Sequence, residues 1–158
     1  MTSMPKEGEK APKFKLPKAG GGNVSLADFK GRILVLYFYP RADTPGCTKE
    51  AIEFSRHAKA FDKAGAAILG VSGDSVTAIE RFGTKHKLTI GLATDESHDM
   101  LEAYGVWAEK SMYGRTFLGV VRATFLIAAD GRIARVWPKV KVPGHAEEVL
   151  AAVQALSK

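Results

Sequence analysis

An α/β fold with a mixed central sheet flanked by helices is predicted for this chain. The main observation is an uninterrupted apolar, β-prone run over residues 33–39 that ends at Pro40. Such a run is typical of a strand buried on both faces under helices. A second apolar run covers Ala66–Ser72, and helical apolar spacing fills the segments between and after the two runs. Alternation of strands with helices predicts an α/β sandwich.

The helices follow from apolar residues at helical spacing. The first pattern begins at Thr44 and ends at Gly65, and its apolar positions are Cys47, Ala51, Phe54, Ala58 and Phe61. Three more helices are predicted around Val76–Phe82 (Val76, Ile79, Phe82), over residues 100–104, and over residues 146–156.

Two further strands are predicted late in the chain, over residues 124–128 and 132–137. The Ala129-Asp130-Gly131 sequence between them is a hairpin signal. The glycine-rich segment 20–23 is predicted to be a turn, because it lacks the lysine of a phosphate-binding loop and precedes no convincing helix.

Composition sets the broad class. The chain has 158 residues, of which 46% are hydrophobic and 25% charged, which favours one globular domain over residues 1–158. No apolar run approaches the roughly 20 residues of a membrane helix. The polar segment 1–12 has no apolar core of a secretory signal, so a cytoplasmic location and no membrane partner are expected.

One cysteine and four histidines limit the metal and disulfide chemistry. With Cys47 alone, no disulfide can form within the chain. The histidines are not spaced as metal ligands, so neither a metal nor another cofactor is expected; they are His57, His86, His98 and His145. The net charge of +6 is spread among acidic residues, which disfavours a nucleic-acid partner.

The segment around Cys47 has the pattern of a reactive thiol. Thr44 suits an N-cap and Pro45 a first helical residue, which places Cys47 in the first turn. Free N–H groups and the helix dipole there favour an anion, so a lowered thiol pKa is expected. The Thr44 hydroxyl, the N–H groups of Gly46 and Cys47, and an arginine are candidate donors to a substrate. Two other readings stay open: Cys47 as a small buried apolar residue, and Thr44 as a cap alone.

The motif Pro40-x-x-x-Thr44-x-x-Cys47 resembles the signature of the peroxiredoxins. The fuller run from Tyr37 to Glu50, YFYPRADTPGCTKE, is similar to the bacterioferritin comigratory protein or peroxiredoxin Q subfamily. The similarity continues through later segments in the same order: Met112-Tyr113-Gly114, GVVRATFLI at 119–127, and WPKVKVPGHA at 137–146.

This resemblance implies a thioredoxin-like fold and a thiol-dependent peroxidase. Cys47 would attack the peroxide and become a sulfenic acid, and Thr44 would hydrogen-bond the sulfur and the peroxide. Pro40 would shield the pocket, with Gly46 contributing a backbone donor. Arg122 would polarise the peroxide and stabilise the thiolate, and Glu50 would orient that arginine. Trp137 and His145 belong to the same motifs, with packing and helix capping as their expected roles.

Many relatives carry a second, resolving cysteine, and this chain departs from them. One common position is Ile52 here and another is matched by Gly83. The sulfenic acid would therefore be resolved by an external thiol such as glutathione, a glutaredoxin or a thioredoxin. Hydrogen peroxide and organic hydroperoxides are the expected substrates, and a monomer is the expected state. Phe38, Trp107 and Phe117 are candidates for an apolar pocket wall.

Two other functions are weighed against the peroxidase. A thioredoxin-type disulfide reductase needs Cys-x-x-Cys, and the fourth position of that motif is Glu50 here. A catalytically weak redox sensor or scaffold of the same fold is the remaining alternative. Pro40, Thr44, Cys47 and Arg122 together favour chemistry over that alternative.

Overall fold

A central mixed sheet forms the middle layer of the chain in a computed structural model that describes residues 3–157. Its strands, in spatial order β5-β4-β3-β8-β9, are β3 (Ile33–Phe38), β4 (Ala66–Ser72), β5 (Gly91–Thr94), β8 (Ala123–Ile127) and β9 (Ile133–Trp137). Strand β3 runs parallel to β4 and antiparallel to β8. The carboxyl end of β3 and the amino end of β8 therefore lie side by side at the same end of the sheet.

Two smaller antiparallel ladders lie outside this sheet. Their strands are β1 (Lys15–Pro17) with β2 (Asn23–Ser25), and β6 (Trp107–Met112) with β7 (Arg115–Val120). A 3₁₀ turn covers Leu26–Phe29. The helices of the described residues are α1 (Pro45–Arg56), α2 (Ala58–Lys63), α3 (Val76–Lys85), α4 (Asp99–Ala103) and α5 (His145–Leu156). Over residues 3–157, no helix is long and apolar enough to cross a membrane.

Apolar side chains cover both faces of the sheet, as the continuous apolar run in β3 requires. Alternate β3 residues Leu34, Leu36 and Phe38 join a core formed with α4 and the β1–β2 ladder. The opposite residues, including Val35 and Tyr37, join a second core formed with α1, α2, α3 and α5. Cys47 belongs to this second core.

The main predicted elements are confirmed. Strands lie at the two apolar runs, the late hairpin turns at Gly131 with a φ of 86°, and helices α3, α4 and α5 begin within one residue of their predicted starts. The glycine-rich segment is the turn between β1 and β2, where the Lys18 N–H donates to the Gly22 carbonyl.

The prediction of one continuous helix from Thr44 to Gly65 was wrong. The helix breaks at His57, which has φ −98° and ψ 7° and joins α1 to α2. Phe61 of α2 still packs into the same core as Phe54 of α1, with ring centroids 5.9 Å apart. The apolar spacing thus continues across a break in the backbone. Strands β1, β2, β5, β6 and β7 were not predicted.

Candidate active site

The loop between β3 and α1 is fastened from the side of α3. The Ala42 N–H donates to Asp74 Oδ2 at 2.8 Å. Asp43 adopts a left-handed conformation with φ 61°, and its carboxylate contacts Lys85 Nζ and His86 Nε2, each at 2.8 Å. The hydrogen bonds from His86 and Lys85 lower the pKa of Asp43. The contacts of Ala42 and Asp43 thus fix the position of the loop. Pro40, at its start, is half-buried.

Thr44 is the N-cap residue of α1 through its backbone. Its carbonyl accepts the first helical hydrogen bond from the Thr48 N–H at 2.8 Å, and Pro45 is the first helical residue. The Thr44 hydroxyl makes no side-chain cap, because it donates to the Arg41 carbonyl at 2.8 Å. The first-turn N–H groups of Gly46 and Cys47 therefore remain available to a ligand.

One arginine joins two buried acidic side chains of α1. Arg122 directly precedes β8, and its Nη2 lies 3.3 Å from Cys47 Sγ while its Nη1 donates to Glu50 Oε1 at 2.7 Å. Cys47 and Glu50 are each 1% exposed, and the Arg122 side chain is 19% exposed. Of these three side chains, that of Arg122 is therefore the most accessible to solvent.

The absence of a side chain at Gly46 allows Arg122 to pack closely against α1. A Cβ at Gly46 would lie 3.1 Å from Arg122 Nη2. The Arg122 carbonyl accepts a hydrogen bond from the Val140 N–H at 2.9 Å, which fixes its backbone beside the sheet. The guanidinium therefore packs directly over the first turn of α1.

Burial controls the electrostatics of the trio. Desolvation raises the pKa of Glu50 to about 7, against the lowering effect of the attraction and hydrogen bond from Arg122. For Arg122, desolvation alone would lower the pKa, but the charges of Glu50 and Cys47 outweigh it and the pKa is raised. The arginine stays charged, while the carboxyl group can exchange a proton near neutral pH.

The structure brings together four of the predicted site residues, Gly46, Cys47, Glu50 and Arg122. Pro40 and Thr44 lie in the loop and at the helix cap beside them, and the hydrogen bond of the Thr44 hydroxyl runs to Arg41 instead of the sulfur.

The predicted apolar pocket wall was wrong for Phe38, and it stays a prediction for Trp107 and Phe117. Phe38 is fully buried in the core on the opposite face of the sheet from Cys47. Trp107 stacks on His98 with ring centroids 3.8 Å apart. Phe117 is 43% exposed on β7.

His145 packs but does not cap the last helix. Gly144 is the N-cap residue of α5, and the His145 Nε2 is hydrogen-bonded to Thr124 Oγ1 at 2.8 Å. The ring also lies edge-on to Trp137, with centroids 5.6 Å apart. Burial lowers the pKa of His145 to about 4. Its bond to Thr124 ties α5 to the strand that follows Arg122.

Sequence reasoning missed two polar groups near the trio. Lys110 Nζ donates to the Val120 carbonyl at 3.0 Å, and burial followed by repulsion from Arg122 lowers the pKa of Lys110. Tyr37 lies beneath the site, fully buried, with an unpartnered hydroxyl. In the sequence Lys110 is an ordinary strand lysine. Tyr37 opens the run that resembles the family motif, but it lies in an apolar stretch and nothing in the pattern indicates that its hydroxyl belongs to the site.

One cluster outside the trio has the donor types of a metal site. The ligand atoms of Glu53, His57 and Glu147 lie within 4.8 Å of one another where α1 meets α5. Glu53 also pairs with Arg56 at 3.8 Å, and the Glu147 side chain is 68% exposed. Surface carboxylates often gather in this way without an ion, so the cluster alone assigns no metal.

Comparison with known proteins agrees with the geometry. The sequence profile of the AhpC/TSA family matches residues 8–136. A putative peroxiredoxin Bcp from Coxiella burnetii is 48% identical over 143 residues, covering 90% of this chain and 95% of that protein.

Solved structures of the same kind superpose closely. A peroxiredoxin Q mutant from Xylella fastidiosa has a TM-score of 0.91 at 38% identity, with 97% and 98% of the two chains covered. The bacterioferritin comigratory protein of Xanthomonas campestris, described for its alkyl peroxide reduction activity, has a TM-score of 0.87 at 43% identity, with 92% of each chain covered.

The fold agrees with the expected thioredoxin-like architecture of peroxiredoxins. From the profile match, the identity over nearly the whole chain and the structural similarity, this chain belongs to the AhpC/TSA family, among the Bcp and peroxiredoxin Q proteins that act as thiol-dependent peroxidases.

Proposed function

We propose that Cys47 is the peroxide-reducing sulfur of this peroxidase and that an external thiol completes each turnover. The observation that carries the proposal is the contact of Arg122 Nη2 with Cys47 Sγ at 3.3 Å, in the first turn of α1. A cation and free helix N–H groups at one sulfur favour its anionic form and a bound, polarised peroxide.

In the proposed reaction the Cys47 thiolate attacks the terminal oxygen of a hydroperoxide. The S–O bond forms as the O–O bond breaks, giving a sulfenic acid and an alkoxide or hydroxide that takes up a proton. Arg122 and the N–H groups of Gly46 and Cys47 stabilise the charge that develops on the oxygens. Since Thr44 already donates its hydroxyl hydrogen to Arg41, its oxygen is free to accept the hydrogen of the peroxide.

A second thiol then attacks the sulfenic sulfur, releases water and leaves a mixed disulfide, which another thiol reduces. Cys47 is the single cysteine of the 158 residues, so this thiol comes from another molecule. Glutathione, a glutaredoxin and a thioredoxin are the proposed reductants. Because Cys47 is 1% exposed, the reductant must reach a recessed sulfur.

The proposed substrates are hydrogen peroxide and organic hydroperoxides. The alkyl peroxide reduction described for the Xanthomonas protein supports the organic class. We further propose a single-domain monomer that works in the cytoplasm, where thiols stay reduced, without a nucleic-acid partner.

The proposal is tested by mixing reduced protein with one equivalent of hydrogen peroxide and trapping sulfenic acid over milliseconds to seconds, with detection by intact mass. Rapid labelling at Cys47 is expected, and Arg122→Ala should slow it by about 10²-fold or more. Arg81→Ala, at an exposed position of α3, is the matched control and should leave the rate unchanged. Labelling no faster than that of a free thiol would rule out the peroxidase role.

A further inference from the structure

The site holds two acidic groups against one cation. Arg122 reaches Glu50 Oε1 at 2.7 Å with one nitrogen and Cys47 Sγ at 3.3 Å with another. Both acidic side chains are 1% exposed. With the thiol and the carboxyl both ionised, this water-poor trio would hold a net charge of −1, which is costly where solvent is excluded. A single proton shared between the two acids keeps it neutral.

A second observation shows which acid is built to hold that proton. Glu50 Oε2 is buried, and no group of the described residues hydrogen-bonds to it. The nearby Tyr37 hydroxyl is also buried without a hydrogen-bond partner. A buried carboxylate oxygen that accepts no hydrogen bond destabilises the ionised form of the group. A protonated carboxyl group carries less charge there and can donate its O–H to an acceptor.

The surroundings of Glu50 agree with this reading. Desolvation raises the pKa of Tyr37 well above its usual range, and the Glu50 charge is the next contribution, so the phenol is a neutral neighbour. Besides the members of the trio, the titratable or charged groups that act on it are Tyr37 of β3, Tyr39 directly after β3, Lys110 of β6 and His145 of α5. Arg122 is the direct partner of the Glu50 carboxylate.

We propose that Glu50 is the proton-holding residue of the peroxidase reaction, a role that deepens the proposed function and rests on it. Glu50 takes the proton from the Cys47 thiol, leaving a thiolate and a carboxylic acid. The thiolate attacks ROOH to give the sulfenic acid and RO⁻, and the carboxylic acid returns the proton to RO⁻ as it ionises. The sum is thiol plus ROOH giving sulfenic acid plus ROH.

The wild-type protein allows a direct test by infrared difference spectroscopy. Reduced protein at neutral pH should show the C=O band of a buried protonated carboxyl group. One equivalent of hydrogen peroxide should abolish this band as Cys47 becomes a neutral sulfenic acid. Glu50→Gln should lack the band from the start. A spectrum without such a band, or a band indifferent to Cys47 oxidation, would overturn the proposal.

Oxidants with different leaving groups can distinguish proton delivery by Glu50 from positioning of Arg122 by Glu50. Glu50→Gln keeps an oxygen that accepts from Arg122 but carries no proton. With tert-butyl hydroperoxide, whose alkoxide needs a proton, the variant should react about 10²-fold more slowly than wild type. With peracetic acid, whose acetate leaves as an anion and needs no proton, the slowing should be markedly smaller, because only the removal of the thiol proton is then affected. Glu53→Gln, one turn along α1, is the control and should match wild type with both oxidants.

Equal slowing of Glu50→Gln with both oxidants would mean that Glu50 only positions Arg122, and the proton-holding role would be lost while the peroxidase stood. A wild-type protein that reacts slowly with both oxidants would instead overturn the proposed function itself.

Discussion

Replacing Gly46 by alanine should make the protein less reactive. Gly46 is helical, and its φ lies outside the left-handed region, so alanine fits the backbone. Glycine weakens a helix relative to alanine by up to about 1 kcal/mol, and the displacement of Arg122 offsets this gain, so the protein should still fold.

The loss of reactivity follows from the contact with Arg122. The new Cβ would lie 3.1 Å from Nη2, whereas ordinary contacts begin near 3.4 Å, so the guanidinium must retreat by about 0.3 Å or more. The displaced atom is the one that faces Cys47 Sγ at 3.3 Å. If a 1 Å misplacement costs about 10²-fold in rate, a shift of a few tenths of an ångström should cost roughly 4- to 10-fold.

Stopped-flow oxidation by hydrogen peroxide measures the rate, and urea unfolding measures the stability. Gly83→Ala is the matched control, since it also lies in a helix and its Cβ would meet Leu92 Cδ1 at an ordinary 3.4 Å. That control should gain stability and keep the wild-type rate. A folded Gly46→Ala protein that reacted as fast as wild type would show that the placement of Arg122 does not limit the reaction.

Two further predictions concern acid stability and excess oxidant. In the folded protein the pKa of His145 is about 4, below its unfolded value of 6.5. The neutral ring therefore makes its full contribution to the free energy of unfolding above pH 6.5, and this contribution is lost as the pH falls toward 4. The free energy of unfolding, measured with urea, should fall by on the order of 2 kcal/mol across that pH range, and His145→Gln should make its dependence on pH weaker. The same pH dependence in both proteins would contradict this prediction. Excess peroxide without thiol should drive Cys47 beyond sulfenic acid, and added dithiothreitol should prevent this, as read by intact mass. A mass that stops at sulfenic acid would refute the second prediction.

The central strands were predictable because burial on both faces leaves a continuous apolar run, as in β3 and β4. The β6–β7 ladder gave no such signal, since most of its residues are half-buried or exposed and no face of it carries a regular apolar stripe. The break at His57 was hidden because Phe61 continues the apolar spacing on the far side of it. Hydrophobic pattern reports burial, and burial does not require a continuous backbone helix.

The site was predictable where its chemistry is local. Thr44, Pro45 and Cys47 are neighbours in sequence, so helix-capping rules alone placed the thiol in a first turn. Arg122 is distant in sequence, and only its resemblance to a family motif marked it. The unpartnered oxygen of Glu50 and the clamp on Asp43 depend on side-chain packing between separate elements, which spacing along the chain does not encode.

The antiparallel pairing of β3 with β8 makes the chemistry of Cys47 dependent on a late event in chain synthesis. The sulfur and the guanidinium are 75 positions apart and meet only when β8 docks beside β3. A ribosome-bound chain that has exposed Cys47 but not yet residue 122 therefore carries a thiol without its cation. If Arg122 has the proposed role, fast reaction with peroxide is expected only once β8 has paired with β3.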